Sequence, residues 1–381
     1  MKVQIVSDEF FAWGLYGGFG FFARKLGGEL VKRGIETEAI VHRISDEQKL
    51  VGETEVIDGV NVKTLPRGKL EKWTNQALYK TDADVIHVQS GRLDAWLSFH
   101  VNAKAVRIIT HQDPMTPADI RRYLPYSITR DWKPAPWYKV PWLQAVESAY
   151  TRAVREATAN FCQVHFMMDS IKREFGIDQV GFLPNFVDVR ECLPKKSPTP
   201  MVVGVNRLDP IKRPEMWCQI AQRFPDVDFY LMGKSHHYGL DNLIRERYNM
   251  PNLHYVGFVT GEEKEKLLDK AWVLLNTAVH ECLPVSFLEA LAHGAAICSC
   301  NDPDQFTSRY GAWVRNKMRT NHIWNEDVTV DDFMPELKGL LEDGWKEKGE
   351  AGYSFVKGNY DTPKVVQKHL DIYGRLAEGG G

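Results

Sequence analysis

Short apolar runs alternate with longer helix-patterned segments along almost the whole chain, and few folds satisfy that order. Val3–Val6, Asp84–Val88, Val106–Thr110 and Gly181–Pro184 read as buried strands of the first half. Met201–Val205, Asp228–Met232, Leu253–Val256, Trp272–Asn276 and Ala295–Cys298 read as those of the second. Between them, Phe19–Arg33, Gln144–Ala157, Pro214–Arg223 and Glu262–Ala271 carry apolar residues at helical spacing. Repeated strand–helix–strand order implies parallel sheets with helices on both faces, the doubly wound α/β class. At 381 residues the chain is too long for one ordinary domain and suits two.

The pattern stops at Leu193–Pro200, where three prolines and two lysines fall in eight residues. Such a stretch continues neither helix nor strand, and marks a linker. The expected division is therefore 1–192, a linker at 193–200, a second domain at 201–360, and a closing helix at 361–378. The two halves are alike in layout, not in residues. Gly379–Gly381 reads as a tail.

Composition narrows the function. A net charge of −2 provides no general attraction for nucleic acid, so an anionic ligand needs local groups. No apolar run reaches the roughly 18 residues of a membrane span, and the N-terminus lacks the pattern of a signal peptide. The six cysteines show no paired framework, which points to reduced thiols and a cytoplasmic setting. Cys298-Ser299-Cys300 reads as small apolar residues on a strand rather than a metal or redox site. His236-His237 lacks a third ligand at sensible spacing, so no metal site is expected.

Four constellations carry chemistry. Gly14-Leu15-Tyr16-Gly17-Gly18-Phe19-Gly20 lies between the first strand and first helix, where glycines admit a ligand close to the backbone or simply reverse the chain. Gly204–Pro214 ends a strand and opens a helix at Pro214. Arg207 could fork onto a diphosphate there, with Lys212 as a point charge. Glu281 and Glu289 lie eight residues apart, around Cys282-Leu283-Pro284-Val285. Glu289 sits among apolar helix residues, where an unpaired carboxylate is costly unless paired hydroxyls, such as a ribose offers, donate to it. Glu281 precedes that helix, near N–H groups that favour anions. His111 ends the strand Val106–Thr110; His87, ending another, is equally open to a structural role. The segment from Gln112 to Leu143 is irregular and rich in Pro, Trp, Tyr and Arg. Its part Arg121–Trp142 has three readings: acceptor stacking, contact with a membrane surface, or an ordinary packed loop.

Taken in order, these segments resemble the retaining GT-B fold glycosyltransferases of group 1, over most of the chain. The resemblance rests on the Gly-rich loop, Asp84–His87, Thr110-His111, Pro184-Asn185-Phe186-Val187-Asp188, Arg207 through Lys212, Tyr230–Lys234, Val256–Val259 and the E-x7-E element ending Glu-Ala-Leu-Ala-His-Gly. It implies two Rossmann-like domains facing each other, with a helix around Asp371-Ile372-Tyr373 returning to the first. It implies transfer of a hexosyl group from a nucleoside diphosphate-sugar, a UDP- or GDP-sugar, without metal or other cofactor. The acceptor would be a carbohydrate, a lipid-linked glycan or a small molecule, reached in the cytoplasm or peripherally at the inner membrane face. Donor contacts would come from Gly17, Gly18, Arg207, Lys212, Gly233, Cys282, Leu283, Pro284, Val285 and Glu289, with Glu281 on the donor sugar. Tyr16, His111, Trp132 and Trp137 would lie on the acceptor side. His111, Arg207, Lys212 and Glu281 would serve catalysis.

Two departures stand out. Cys282-Leu283-Pro284-Val285 replaces the family's Gly-Phe-Gly-Leu, and Pro284 has no N–H to offer a donor sugar. Phe186 stands where the family has glycine. A nucleotide-sugar epimerase of the same fold, or a non-catalytic nucleotide-sugar-binding protein, would share much of this pattern.

Overall fold

The computed structural model describes residues 1–10, 18–115, 119, 122, 126, 140–235, 239–315 and 324–379. These form two compact units. Unit 1 comprises Met1–Pro114, Lys133–Asn185 and Pro363–Gly381; unit 2 comprises Met115–Trp132 and Phe186–Thr362.

In unit 1, β1 (Lys2–Val6) leads to α1 (Gly18–Lys32), β2 (Glu36–His42), β3 (Thr54–Ile57), β4 (Val60–Leu65) and α2 (Lys69–Thr74). Then come β5 (Val85–Val88), α3 (Arg92–Val101), β6 (Val106–His111), α4 (Val140–Glu156), β7 (Ala159–Cys162), α5 (Met168–Phe175) and β8 (Gly181–Phe182). The sheet order is β3-β4-β2-β1-β5-β6-β7-β8, parallel except where β3 pairs β4. Asp58 and Gly59, both at positive φ, turn that hairpin, the residues a tight two-residue turn favours. Ile86, Val88 and Ile109 pack under Leu93, Leu97 and Phe99 of α3 and Val146 and Val154 of α4.

Unit 2 runs β9 (Met201–Val205), α6 (Pro214–Gln222), β10 (Asp228–Met232), α7 (Leu240–Arg247), β11 (Leu253–Gly257), α8 (Gly261–Lys270) and β12 (Val273–Asn276). It continues with α9 (Val285–Ala292), β13 (Ala296–Ser299), α10 (Phe306–Tyr310), β14 (Gly311–Trp313), α11 (Val330–Glu342) and α12 (Trp345–Asn359). Its sheet, β11-β10-β9-β12-β13-β14, is parallel throughout. Val202, Phe229, Leu231, Val273 and Leu275 meet Trp217, Ile220, Phe333 and Leu337 in its core. Each such side chain stabilises the fold by about 1.5–3 kcal/mol relative to exposure. The chain returns to unit 1 with α13 (Thr362–Glu378), whose Tyr373 hydroxyl meets His87 Nδ1 at 2.6 Å.

Several elements escaped the sequence reading: β2, β3, β4, β7 and β14. They are short or carry polar residues on one face, so their apolar runs are broken. The proline-rich stretch expected as a linker is packed on unit 2. Lys196 Nζ donates to the His293 carbonyl at 2.6 Å, and Trp272 Nε1 donates to the Ser197 carbonyl at 2.8 Å. Burial there pulls the Lys196 ammonium down to about pKa 7.

Strand order fixes where ligands can sit. In each sheet the winding reverses once: between β1 and β5 in unit 1, and between β9 and β12 in unit 2. At such a reversal the loops leaving the two strands diverge, and a crevice opens beyond their carboxyl ends.

Candidate functional site

At the unit 2 reversal, the chain leaves β9 through Asn206, Arg207, Leu208 and Asp209, makes a single tight turn at Pro210–Lys212, and enters α6 at Pro214. Arg213 between them has φ 48°, rare for a side-chain-bearing residue. Its guanidinium holds the strained turn in place, donating to the carbonyls of Thr277 at 2.6 Å, Asn325 at 3.0 Å and Val328 at 3.0 Å. Thr277 Oγ1 in turn donates to the Lys212 carbonyl at 2.8 Å. The turn that carries Lys212 is thus tied to the loop leaving β12.

That loop supplies Glu281. Lys212 Nζ lies 2.6 Å from Glu281 Oε1, and Asn276 Nδ2 donates to the same oxygen at 3.1 Å. The pair is largely but not wholly covered, at 17% and 9% side-chain exposure. Arg207 Nη1 stands 3.3 Å from Asp209 Oδ2. Pro284 caps α9 in extended backbone, followed by Val285 as its first residue; Cys282 and Leu283 are buried. Gly233, expected among the donor contacts, has an independent structural reason. A Cβ there would lie 1.8 Å from the Asn206 carbonyl oxygen, so the ends of β9 and β10 approach only because it is glycine.

Glu289 requires a correction. It is not an unpaired carboxylate among apolar groups: Lys264 Nζ from α8 lies 2.6 Å from its Oε1. Sequence reasoning missed Lys264 because the pairing partner is 25 residues upstream on another helix.

In unit 1 the reversal between β1 and β5 holds a polar group that the sequence reading overlooked. Asp94, on the first turn of α3, is buried. Its carboxylate accepts from Lys72 Nζ at 2.8 Å and from the Tyr79 hydroxyl at 2.5 Å, and meets His42 Nε2 at 2.8 Å. Burial opposes its ionisation, but His42 and Lys72 outweigh that and hold the carboxyl well below the usual range. His42 Nδ1 lies 3.2 Å from Asp8 Oδ1, just beyond β1. Asp8, His42 and Asp94 could offer three ligand atoms to a metal, all within 4.8 Å of one another. The Lys72 ammonium, against both Asp94 and His42, already provides the cation there. A single carboxylate between apolar helix residues, Leu93-Asp94-Ala95, was the available signal.

Next to it, buried amides follow the carboxyl ends of four successive strands. Gln112 Nε2 donates to Gln89 Oε1 at 2.6 Å, Asn185 Nδ2 donates to Gln112 Oε1 at 3.1 Å and to Gln163 Oε1 at 2.7 Å, and Gln163 Nε2 donates to the Gln112 carbonyl. His87 joins this network through Gln89 and Thr110. His111 does end β6, as expected, but its ring faces inward. Nε2 lies 3.2 Å from Asn160 Oδ1, and the ring stacks on Phe175 with centroids 5.5 Å apart. Burial lowers its pKa to about 4. It presents 4% of its surface. Gly18 opens α1, and the nearby Gly20 packs its backbone on Glu9, where a Cβ would come within 2.8 Å of Glu9 Cβ. Tyr16, Gly17, Trp132 and Trp137 lie outside the described residues.

The segment that builds the unit 2 crevice is the one with a recognised pattern. Residues 188–308 match the family model described as glycosyl transferases group 1. That segment, within unit 2, is similar to a group 1 glycosyltransferase domain. The whole chain also has the GT-B fold, shown by its likeness to solved structures. It is similar to a sucrose-phosphate synthase from Thermosynechococcus elongatus, with TM-score 0.74 and 14% identity over 99% of each chain. It is similar to HepE from Anabaena in complex with UDP-glucose, with TM-score 0.65 and 13% identity over 98% of this chain and 100% of that one. It is similar to TarM from S. aureus, with TM-score 0.67 and 11% identity over 98% and 99%. No curated protein matches the chain in sequence.

The matched segment contains Arg207, Lys212, Gly233, Glu281 and Glu289. The fold brings Lys212 against Glu281, and separates Glu289 onto its own partner. Cys298 and Cys300 are buried thiols whose pKa burial raises, which favours the packing reading over redox or metal chemistry. Among the described residues, no helix is long and apolar enough to cross a membrane.

Proposed function

We propose that this glycosyltransferase moves a hexosyl group, with retention, from a nucleoside diphosphate-sugar to a hydroxyl acceptor, without a metal ion. The observation that carries the reading is the Lys212–Glu281 pair at the β9/β12 reversal, with Arg207 on the same loop. A diphosphate there would take a forked contact from Arg207 and share the Lys212 ammonium with Glu281. As the sugar–phosphate bond breaks, negative charge grows on the leaving diphosphate. Two fixed cations oppose it without reorganising, and supply the neutralisation a metal would otherwise give. Glu281 then faces the sugar, and Glu289 the ribose hydroxyls, with Lys264 balancing its charge meanwhile. Two of the similar structures, described as containing UDP-glucose and UDP, support a uridine nucleotide as the first donor to try.

A thermal-shift series with UDP, GDP, ADP and their glucose conjugates tests the reading. One nucleotide and its conjugate should raise the melting temperature, because a ligand that binds only the folded state stabilises it. Turnover should continue in a chelator. Absence of any shift, or turnover unchanged when Arg207 and Lys212 are both replaced by alanine, refutes it. Product analysis with donor alone separates transfer from epimerisation.

A further inference from the structure

The aromatic, basic segment between β6 and α4 reads from sequence as part of the first domain. Its described residues Asp119 and Tyr126 instead belong to unit 2. Asp119 Oδ1 accepts from Trp324 Nε1 at 2.7 Å, and Trp324 is fully buried. Trp324 forms a small core with Ile211 and Val279, against which Tyr126 packs. The Trp324 ring stacks on His280, centroids 4.6 Å apart and 16° from parallel. Backbone bonds close the group: Val279 N–H to the Ile211 carbonyl at 2.9 Å, and Asn325 N–H to the Val279 carbonyl at 2.8 Å.

The chain neighbours of these residues matter. Ile211 precedes Lys212, and His280 precedes Glu281. The small core therefore adjoins both members of the Lys212–Glu281 pair, but Lys212 is held separately by Thr277 Oγ1 on its carbonyl at 2.8 Å, whereas the Trp324 stack reaches the Glu281 side through His280. Glu289 and Lys264 stand on α9 and α8 and share no residue with it. We infer that Asp119 and Trp324 are positioning residues for recognition of the donor's sugar: through the His280 stack they fix the loop that carries Glu281, and Asp119 and Tyr126 are donor-side residues. The inference rests on the donor reading given above. It makes the sugar end of the donor sensitive to Asp119, while the nucleotide end, gripped by Arg207, by Lys212 on its own Thr277-tied turn and by Glu289, is not.

The test uses the intact protein with Asp119→Ala, Asp119→Asn and Trp324→Phe. Calorimetric affinities are measured for UDP, GDP and ADP, and for their glucose, galactose and N-acetylglucosamine conjugates. Asp119→Ala should hold the bare diphosphate as the parent does, and weaken the best-bound conjugate by about tenfold, the size of one lost charge-assisted hydrogen bond. Asp119→Asn keeps a carbonyl for Trp324 Nε1 and should restore parental affinity; Trp324→Phe should behave as Asp119→Ala. Equal weakening of diphosphate and conjugate, or weakening of neither, overturns the inference while the donor reading stands. A parent protein that binds none of these nucleotides sinks the donor reading, and the inference falls with it.

Discussion

The two sheets reverse their winding in the same way, yet they furnish the resulting crevices differently. At the unit 1 reversal most polar groups are tied to one another: Asp94 is closed in by Lys72, Tyr79 and His42, and the amides of Gln89, Gln112, Gln163 and Asn185 form one network that leaves Asn185 Oδ1 unbonded. Lys72 and Asp94 keep only 5% and 4% side-chain exposure. At the unit 2 reversal the pairs Lys212–Glu281 and Lys264–Glu289 are more open, with side-chain exposures of 17% and 9%, and of 15% and 13%. A closed network rigidifies, and it is costly to break because a buried charge is left alone. A partly open pair can exchange its partner for a ligand's phosphate or hydroxyl. The first arrangement suits stability; the second is the one proposed above for binding.

Acid should expose this contrast most strongly. His87, His111 and His369, all in unit 1, are buried and kept neutral; burial holds His111 and His369 to about pKa 4, and His87 well below its ordinary value. The folded state therefore binds fewer protons than the unfolded chain, whose histidines titrate near about 6.5. The stability these groups allow is complete above about pH 6.5, and is lost as pH falls toward about 4, in total on the order of several kcal/mol. Hydrogen exchange at falling pH should show unit 1 amides losing protection before those of unit 2; simultaneous loss would break the contrast.

Asp94→Asn should come next. Leaving Lys72 buried without its counter-ion should cost about 3–5 kcal/mol in a urea titration. A cost below about 1 kcal/mol would show that the unit 1 group is as exchangeable as the unit 2 pairs. Lys212→Ala should do the reverse: turnover should fall about a hundredfold, equal to roughly 2.7 kcal/mol in the barrier, while stability changes by less than about 1 kcal/mol. The smallest effect is expected at the helix that returns to unit 1. Tyr373→Phe removes the hydroxyl from His87 and should cost about 1–2 kcal/mol, with nucleotide affinity unchanged. A change in nucleotide affinity would show that the unit 1 network reaches the donor.

How much of this was legible beforehand depends on the range of the interaction. Lys212 and Glu281 were found from the sequence because each sits in a recognisable local setting, a strand-ending loop and a helix start. Arg213 was passed over although it neighbours Lys212, since its partners Thr277, Asn325 and Val328 are remote in the chain. Glu289 was singled out as a carboxylate in an apolar helix, but its lysine was not foreseeable from spacing. Asp119 was hidden by its place in the chain, between elements of the first unit.

By itself the sequence determined the class of fold, because apolar runs and helical periodicity are properties of neighbouring residues, and parallel sheets are the only economical way to bury them. It also determined the kinds of group at the unit 2 crevice, since strand ends and helix starts are local. The tertiary structure alone decided which charges meet. It turned His111 into a packed ring, gave Glu289 its counter-ion, closed Lys72 and His42 around Asp94, and set Asp119 against Trp324. The reason is physical: a hydrogen bond or ion pair depends on distances of a few ångströms, and those are set by how elements far apart in the chain pack, which no local pattern encodes.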